Sequence, residues 1–175
     1  MRIYTCAIVP GLLQIAGYTR AIHKIGIPRI SDEAIEERVA ERSTRQQRLT
    51  GPNPPAVEII LDEAVLHRPA GGAFVMREQL DRIISVADYR NVSIQVLPYE
   101  AGAHPAMESD LTILSFERPT PSVVYVEGLV GKIYLERHAD VERYEQVFER
   151  LRAQASSSKD SVAIIKKIRE AYTSG

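Results

Sequence analysis

Acidic and basic side chains meet at the end of one predicted strand. Asp62 and Glu63 directly follow residues 57–61, which are rich in β-branched side chains, and His67 and Arg68 come a few residues later. Side chains at strand ends face the crevice where ligands collect in sheet proteins, so this group could bind a polar ligand or exchange protons with it. In the alternative, structural interpretation, Asp62 caps the following turn and Glu63 pairs with an arginine across the sheet.

His104 is a second candidate for chemistry. It lies in the long segment 98–110, which has no hydrophobic periodicity and contains Gly102. Loops of this length inside a compact domain are usually functional, and the small neighbours of His104 predict an accessible imidazole. We interpret this side chain as part of a small-molecule pocket or lid, or else as a loop anchor. The candidate general acids or bases are therefore Glu63, His67 and His104.

A ligand would need further side chains around these groups. Gln14 and Gln95 are amides in apolar surroundings, and a buried amide must find its hydrogen-bond partners in the backbone or in a ligand. We favour the backbone for both. The candidate ligand-binding residues are Glu63, Arg68, Met76, Gln95, His104 and Tyr18.

Three arginines share one side of a predicted helix over residues 31–49. At 100° per residue, Arg38, Arg42 and Arg45 fall near the apolar positions of this helix, whereas its four glutamates fall on the far side. Such arginines cover an apolar face with their stems and pair with carboxylates at the rim of the core. Alternatively, they bind a small acidic partner protein.

Composition excludes several classes of protein. The chain has 175 residues, a formal net charge of −1 and 45% hydrophobic residues, which fits a folded domain and provides no general excess of cations for nucleic acid. The single cysteine, Cys6, rules out an internal disulfide and fits a reducing cytoplasm. The four histidines are scattered, so we predict no metal site, and we find no cofactor motif. No apolar run approaches the roughly 20 residues that cross a bilayer.

The predicted elements form one domain over residues 1–175. Residues 1–50 are predicted as a helical lead with helices over 12–24 and 31–49, and residues 139–173 as two C-terminal helices. Between them, residues 56–136 are predicted to contain five strands and one crossover helix. The expected fold is α+β, with one mixed, mostly antiparallel sheet. The apolar stripes of the last two helices also predict self-association, and hence a possible homodimer.

Five ordered sequence blocks carry a resemblance to a family. They are residues 10–14 (Pro-Gly-Leu-Leu-Gln), 62–69, 76–80, 96–98 together with 102–104, and 124–127. In this order and spacing they resemble the uncharacterised effector domain that follows an Xre-type helix-turn-helix in many actinobacterial regulators, especially those of Streptomyces. The sequence departs from that pattern in two ways. At most nine residues precede the first block, and His67 stands where the family more often has arginine.

The resemblance implies an effector domain that binds a small molecule or a small protein and makes no direct contact with DNA. A second hypothesis is a stand-alone copy recruited as a cofactor-independent biosynthetic enzyme, which would cyclise or rearrange a natural-product intermediate with Glu63, His67 or His104 as acid or base. A third is a protein-interaction module that uses Arg38, Arg42 and Arg45.

Overall fold

The computed structural model describes residues 1–117, 119–128 and 131–172. Its strands are β1 (Arg2–Thr5), β2 (Val57–Asp62), β3 (Val92–Leu97), β4 (Leu111–Leu114), β5 (Val123–Gly128) and β6 (Gly131–Leu135). Its α-helices are α1 (Ala16–Lys24), α2 (Asp32–Gln46), α3 (Glu63–His67), α4 (Gly72–Ala87), α5 (His138–Gln154) and α6 (Ser158–Ala171). Short 3-10 helices cover Gln47–Leu49 and Tyr99–Ala101.

The sheet is mixed, in the order β3-β2-β1-β4-β5-β6. Strands β1, β2 and β3 run parallel to one another, whereas β1 with β4, β4 with β5, and β5 with β6 pair antiparallel. The predicted α+β class with one mixed, mostly antiparallel sheet is therefore confirmed, with six strands in place of about five. The antiparallel pairing of β5 with β6 places Gly128 opposite Gly131, and Leu129 and Val130 lie outside the described residues.

The predicted helical lead differs from the structure at its start. Residues 2–5 form the central strand β1, and α1 begins at Ala16 because residues 10–14 form a turn in which the Leu13 N–H donates to the Pro10 carbonyl. A strand of four residues is too short to show a clear alternation of apolar and polar positions. Its three buried residues, Ile3, Tyr4 and Thr5, include both faces of the sheet, as in a central strand.

Helices α2 and α6 each begin after a serine that caps the first turn. Ser31 accepts a hydrogen bond from Ala34 N at 3.2 Å, and Ser157 accepts one from Asp160 N at the same distance. Both bonds satisfy an N–H at a helix start that would otherwise lack a partner. The start of α2 agrees with the helix that the sequence predicts over residues 31–49.

Each face of the sheet is covered by helices. On one face, strand residues such as Ile59 and Ile94 pack with α4 and α6, through residues that include Leu80 and Ile165. On the other face, residues that include Tyr4, Ile60 and Ile113 pack with Val141, Phe148 and Leu151 of α5. The apolar faces of α5 and α6, from which we predicted self-association, are therefore occupied within the chain.

The turn over residues 10–14 is held to α4 by a buried amide. The Gln79 side chain is 0% exposed, donates to the Leu13 carbonyl at 2.7 Å and accepts from Ile15 N at 2.9 Å. Gln14 is also buried; it donates to the Val9 carbonyl at 2.6 Å and accepts from the Thr19 hydroxyl at 3.0 Å. The expectation that Gln14 finds its partners within the protein is confirmed.

Replacing Gln79 by methionine should lower the free energy of unfolding by about 2–6 kcal/mol, because it leaves the Leu13 carbonyl and the Ile15 N–H without partners at about 1–3 kcal/mol each. Urea denaturation followed by circular dichroism measures the change. Glu78→Met, at an exposed position of the same helix, is the matched control and should change stability by less than about 0.5 kcal/mol. Equal stability of both variants would contradict this assignment.

Candidate functional site

Three polar side chains meet at the carboxyl ends of the parallel strands. Tyr4 lies opposite Ile60, and Asp62, two residues farther along β2, faces the same side of the sheet. The Tyr4 hydroxyl lies 3.5 Å from Asp62 Oδ2 and 3.3 Å from His104 Nε2. His104 Nε2 is itself 3.6 Å from Asp62 Oδ2. We call these three residues the anchor cluster.

Two further hydrogen bonds connect the anchor cluster to the backbone. His104 Nδ1 accepts from Ala106 N at 3.3 Å, which turns Nε2 toward the Tyr4 hydroxyl and Asp62. Asp62 also caps α3 by accepting from Ala64 N at 2.9 Å, as the structural interpretation of its sequence position predicts. Burial, and then the charge of Asp62, raise the pKa of the Tyr4 phenol, which therefore stays protonated and donates to the carboxylate.

The predicted accessibility of His104 is wrong. Its side chain is only 7% exposed, because its ring packs edge-on against Tyr4, with ring centroids 5.6 Å apart, and closes onto Asp62. Of the alternatives that the sequence leaves open, the contacts of His104 match the loop anchor. The ring ties the middle of segment 98–110 to the centre of the sheet.

The end of the same segment is fixed by Asp110. Its carboxylate accepts from Cys6 N at 2.8 Å, and the Thr5 hydroxyl lies 2.8 Å from its other oxygen. The Cys6 thiol lies 3.2 Å from Asp110 Oδ1. Burial, followed by the hydrogen bond to Asp110, raises the pKa of this thiol to about 11. Cys6 is therefore a protonated thiol and a poor nucleophile at neutral pH.

Glu63 and His67 fix the start of the segment. Glu63 Oε2 accepts from Tyr99 N at 2.9 Å, and Glu63 Oε1 lies 3.2 Å from His67 Nε2. The His67 ring stacks on Tyr99, with centroids 5.9 Å apart. Glu63 therefore contacts Tyr99 and His67, and not an arginine across the sheet as we expected. The two predicted acid–base residues both contact Tyr99: Glu63 contacts its backbone, and His67 contacts its ring.

The other predicted ligand residues do not converge on the anchor cluster. Tyr18 and Met76, 1% and 0% exposed, lie in the core on the opposite face of the sheet, where the Tyr18 hydroxyl accepts from Val9 N. Gln95 donates to the Ser156 carbonyl at 2.9 Å, the backbone partner that we favoured. Arg68 lies on the surface. The six predicted residues therefore do not form one site.

A groove opens beside the anchor cluster, between segment 98–110, β6 and α5. It has a volume of about 620 Å³. We call it the α5 groove and define it by residues Ala106, Leu111, Leu135, Arg143, Val147 and Arg150. A neighbouring cleft of about 560 Å³ shares Arg150 and includes His104 in its lining. The loop that His104 anchors therefore forms one wall of both.

The α5 groove combines an apolar floor with a basic side. Ala106 and Leu111 are buried at its base, whereas Arg143 and Arg150 lie two helical turns apart on the exposed side of α5. Two carboxylates also line the groove: Asp140, which Arg137 holds at 2.7 Å, and the exposed Glu108. Within the part of the chain that the structure describes, neither Arg143 nor Arg150 forms an ion pair. Their guanidinium groups can accept an anion.

The three arginines of α2 lie elsewhere, beside α1. Arg42 is partly buried and its Nη1 lies 2.6 Å from His23 Nε2, whereas Arg38 and Arg45 are exposed. Burial, and then the charges of Arg42 and Arg38, lower the pKa of His23, which accepts from Arg42 as a neutral ring. Among residues 1–117, 119–128 and 131–172, none of the three arginines pairs with a carboxylate, so the predicted pairing at the rim of the core is not found.

Two absences hold for the described residues. None of their helices is long and apolar enough to span a membrane. They also contain no group of three or more histidine, cysteine, aspartate or glutamate side chains arranged to bind a metal ion.

The fold and groove define an α+β domain with a mixed six-stranded sheet and an open, partly basic groove. Residues 1–167 match the family model described as "Domain of unknown function (DUF5753)", and the chain belongs to that family. No curated protein and no solved structure matches the chain.

Sequence reasoning missed Tyr4 and the arginines of the groove. Arg143 and Arg150 are seven residues apart on a predicted helix, which places them on the same side, and Tyr144 and Val147 lie between them. That spacing could have predicted a basic side of this helix. The position of Tyr4 beside Asp62 could not be predicted from the sequence, because it depends on the pairing of β1 with β2 across more than 50 residues.

Replacing His104 by alanine should lower the free energy of unfolding by about 1–3 kcal/mol, because it removes the acceptor of Ala106 N and the packing of the imidazole ring against Tyr4. Urea denaturation measures this loss. His138→Ala, which removes an exposed histidine at the start of α5, should have an effect below about 0.5 kcal/mol. A His104→Ala protein as stable as the parent would show that the ring does not anchor the loop.

Proposed function

We propose that this chain is the effector domain of an Xre-type transcriptional regulator of an actinobacterium, and that it acts in the cytoplasm. Its ligand is an anionic small molecule with an apolar body, bound in the α5 groove. The order of the five sequence blocks supports the regulatory role. The observation that carries the choice of ligand is the pair of arginines, Arg143 and Arg150, beside a buried apolar floor.

The proposed recognition follows from the chemistry of the groove. The guanidinium groups of Arg143 and Arg150 bind a carboxylate, sulfonate or phosphate by charge-assisted hydrogen bonds. Ala106, Leu111 and Val147 contact the apolar part of the ligand. Because the groove is open and has few apolar walls, we expect orientation to come mainly from the charged end.

The proposed signal is a shift between arrangements of the groove walls. A ligand that contacts both α5 and segment 98–110 favours the arrangement in which those two elements are close. Because α5 begins three residues after the end of β6, a change in the position of α5 also changes the position of β6, at the edge of the sheet. The DNA contact itself belongs to a helix-turn-helix outside this sequence.

The enzyme hypothesis receives less support from the geometry. Glu63 and His67 interact with each other and with Tyr99, and His104 is buried against Tyr4 and Asp62. A general acid or base must be able to reach the reacting atoms of a substrate. Each of these side chains instead has a partner that fixes the loop.

The ligand proposal is tested with 8-anilinonaphthalene-1-sulfonate as the anionic probe and N-phenyl-1-naphthylamine as its uncharged analogue. Arg143→Ala/Arg150→Ala should weaken binding of the sulfonate about tenfold or more, because charge-assisted hydrogen bonds contribute about 1.5–3 kcal/mol each. Binding of the neutral probe should change little. Fluorescence titration measures both affinities.

Arg152→Ala is the matched control, because Arg152 lies on the same helix but pairs with Glu149. It should leave both affinities unchanged. If the double variant binds the sulfonate as tightly as the parent, or loses both probes equally, the anionic site is not at Arg143 and Arg150.

The regulatory half of the proposal is tested in the host by transcript profiling of a deletion strain. The parent gene and the Arg152→Ala gene should restore the transcript profile, and the Arg143→Ala/Arg150→Ala gene should not. A deletion strain whose transcripts match those of the parent strain would contradict a role in transcription.

A second candidate function is binding of a small acidic partner protein by the arginine side of α2. The observation that favours it is the contact of Arg42 with a neutral His23, with Arg38 and Arg45 exposed on the same helix. Several cations without a carboxylate partner among the described residues make a positive surface patch. Such a patch raises the association rate of an acidic partner more than its final affinity.

This candidate is tested with a ten-residue glutamate peptide in low and physiological salt. Arg38→Glu/Arg45→Glu should weaken binding about tenfold at low salt, and added salt should reduce the difference because the charges are exposed. Isothermal titration calorimetry measures the affinity. Arg29→Glu/Arg90→Glu makes the same change in net charge at exposed positions and should have a smaller effect. Equal effects of the two pairs would contradict a localised site on α2.

A further inference from the structure

The outer edge of the sheet at β6 presents both polar backbone and apolar side chains to solvent. β6 pairs with β5 on one side, and the sheet order ends there. Ile133 and Tyr134, on opposite faces of the strand, are 58% and 60% exposed. An exposed edge strand with large apolar side chains is a template for pairing with another chain. The edge is therefore a candidate interface.

We propose that β6 pairs antiparallel with β6 of a second copy of this chain, with Tyr134 opposite Tyr134. The two sheets then join into one continuous sheet of twelve strands about a two-fold axis. Such an interface is isologous, so the same residues must be compatible with themselves across the axis. Residues 131–136, which are β6 and the residue after it, are compatible with a second copy of themselves in this way.

The register follows from the charges at the ends of the edge. With Tyr134 on the axis, Lys132 of each copy, which lies 3.9 Å from Glu127 of its own copy, is also opposite Glu136 of the other copy, giving two opposite-charge pairs across the axis. Opposite charges across antiparallel strands stabilise the pairing, and like charges destabilise it. Shifting the axis to Ile133 would lose both pairs, because Lys132 would then face Tyr134. The charges therefore select one register.

The apolar side chains agree with that register. Ile133 of one copy faces Leu135 of the other, and Tyr134 faces its own counterpart on the opposite side of the sheet. Within one copy, Tyr134 already lies beside Tyr125, with ring centroids 5.3 Å apart. Pairing would therefore bring together four tyrosine rings and two Ile–Leu pairs, which bury side chains that are exposed in the single copy.

The interface has the size of a weak association. One short strand from each copy buries less than the roughly 1,200 Å² typical of stable complexes, so the dimer should depend on concentration. Leu135 also lines the α5 groove. The proposed dimer thus places two α5 grooves next to the two-fold axis, but it does not depend on what those grooves bind.

Sedimentation velocity of the full chain over a wide range of concentration tests the proposal. The parent protein should move toward the dimer mass as concentration rises. Lys132→Glu alone and Glu136→Lys alone should each weaken dimerisation at least about threefold, because each places like charges opposite one another. The double reversal, Lys132→Glu/Glu136→Lys, should recover most of the parent affinity.

Control variants make the same charge changes elsewhere. Lys159→Glu and Glu142→Lys lie at exposed helical positions outside β6 and should dimerise like the parent. A parent protein that stays at the monomer mass at every concentration would overturn the proposal. So would a double reversal no better than the single variants, since rescue requires that residues 132 and 136 face each other across the interface.

Cysteine crosslinking checks the register independently. Tyr134→Cys should form a disulfide between two copies, because residues on the axis lie within the roughly 4.4–6.8 Å between Cα atoms that a disulfide requires. Lys132→Cys should not, since the two copies of residue 132 are far from each other in this register. The parent protein controls for Cys6. Efficient crosslinking through residue 132 with none through residue 134 would overturn the register.

Discussion

The rest of the structure depends on the pairing of β1 on both of its sides. β1 joins β2 in parallel over Arg2–Thr5 and joins β4 antiparallel over Arg2–Tyr4. Without it, the sheet would separate into the β2–β3 pair and the β4–β6 meander. Each half would then expose the backbone of the strand, β2 or β4, that now pairs with β1. β1 therefore keeps the two hydrophobic cores, one on each face of the sheet, in a single arrangement.

The same strand also determines where the groove forms. Tyr4 brings β1 into contact with Asp62 and His104. Asp110 binds Thr5, the last residue of β1, and Cys6, which follows it. Segment 98–110 is consequently attached to the sheet near its middle and at its end. A loop held in this way can form a groove wall beside α5 although its regular structure is limited to the short 3-10 helix Tyr99–Ala101. Residues that look catalytic in the sequence serve that attachment.

Local signals were readable from the sequence, and long-range pairings were not. Ser31 and Ser157 indicate helix starts, because each caps its helix through a residue only three positions later. The β-branched runs of β2 and β3 are long enough to show their pattern. β1 is too short for that, and the burial of His104 depends on Tyr4 and Asp62, which are about 100 and 42 positions away. The groove was missed because segment 98–110 and the β6–α5 region, which form its walls, are brought together only by the fold.

Native-state hydrogen exchange of the β1 amides measures the central claim most directly. If β1 holds the two halves of the sheet together, its hydrogen-bonded amides can exchange only when the whole domain unfolds. We therefore predict that their free energy of exchange equals the global free energy of unfolding measured by denaturant. Exchange of the β1 amides through a local opening of clearly lower free energy, with β2 and β4 still protected, would contradict the account.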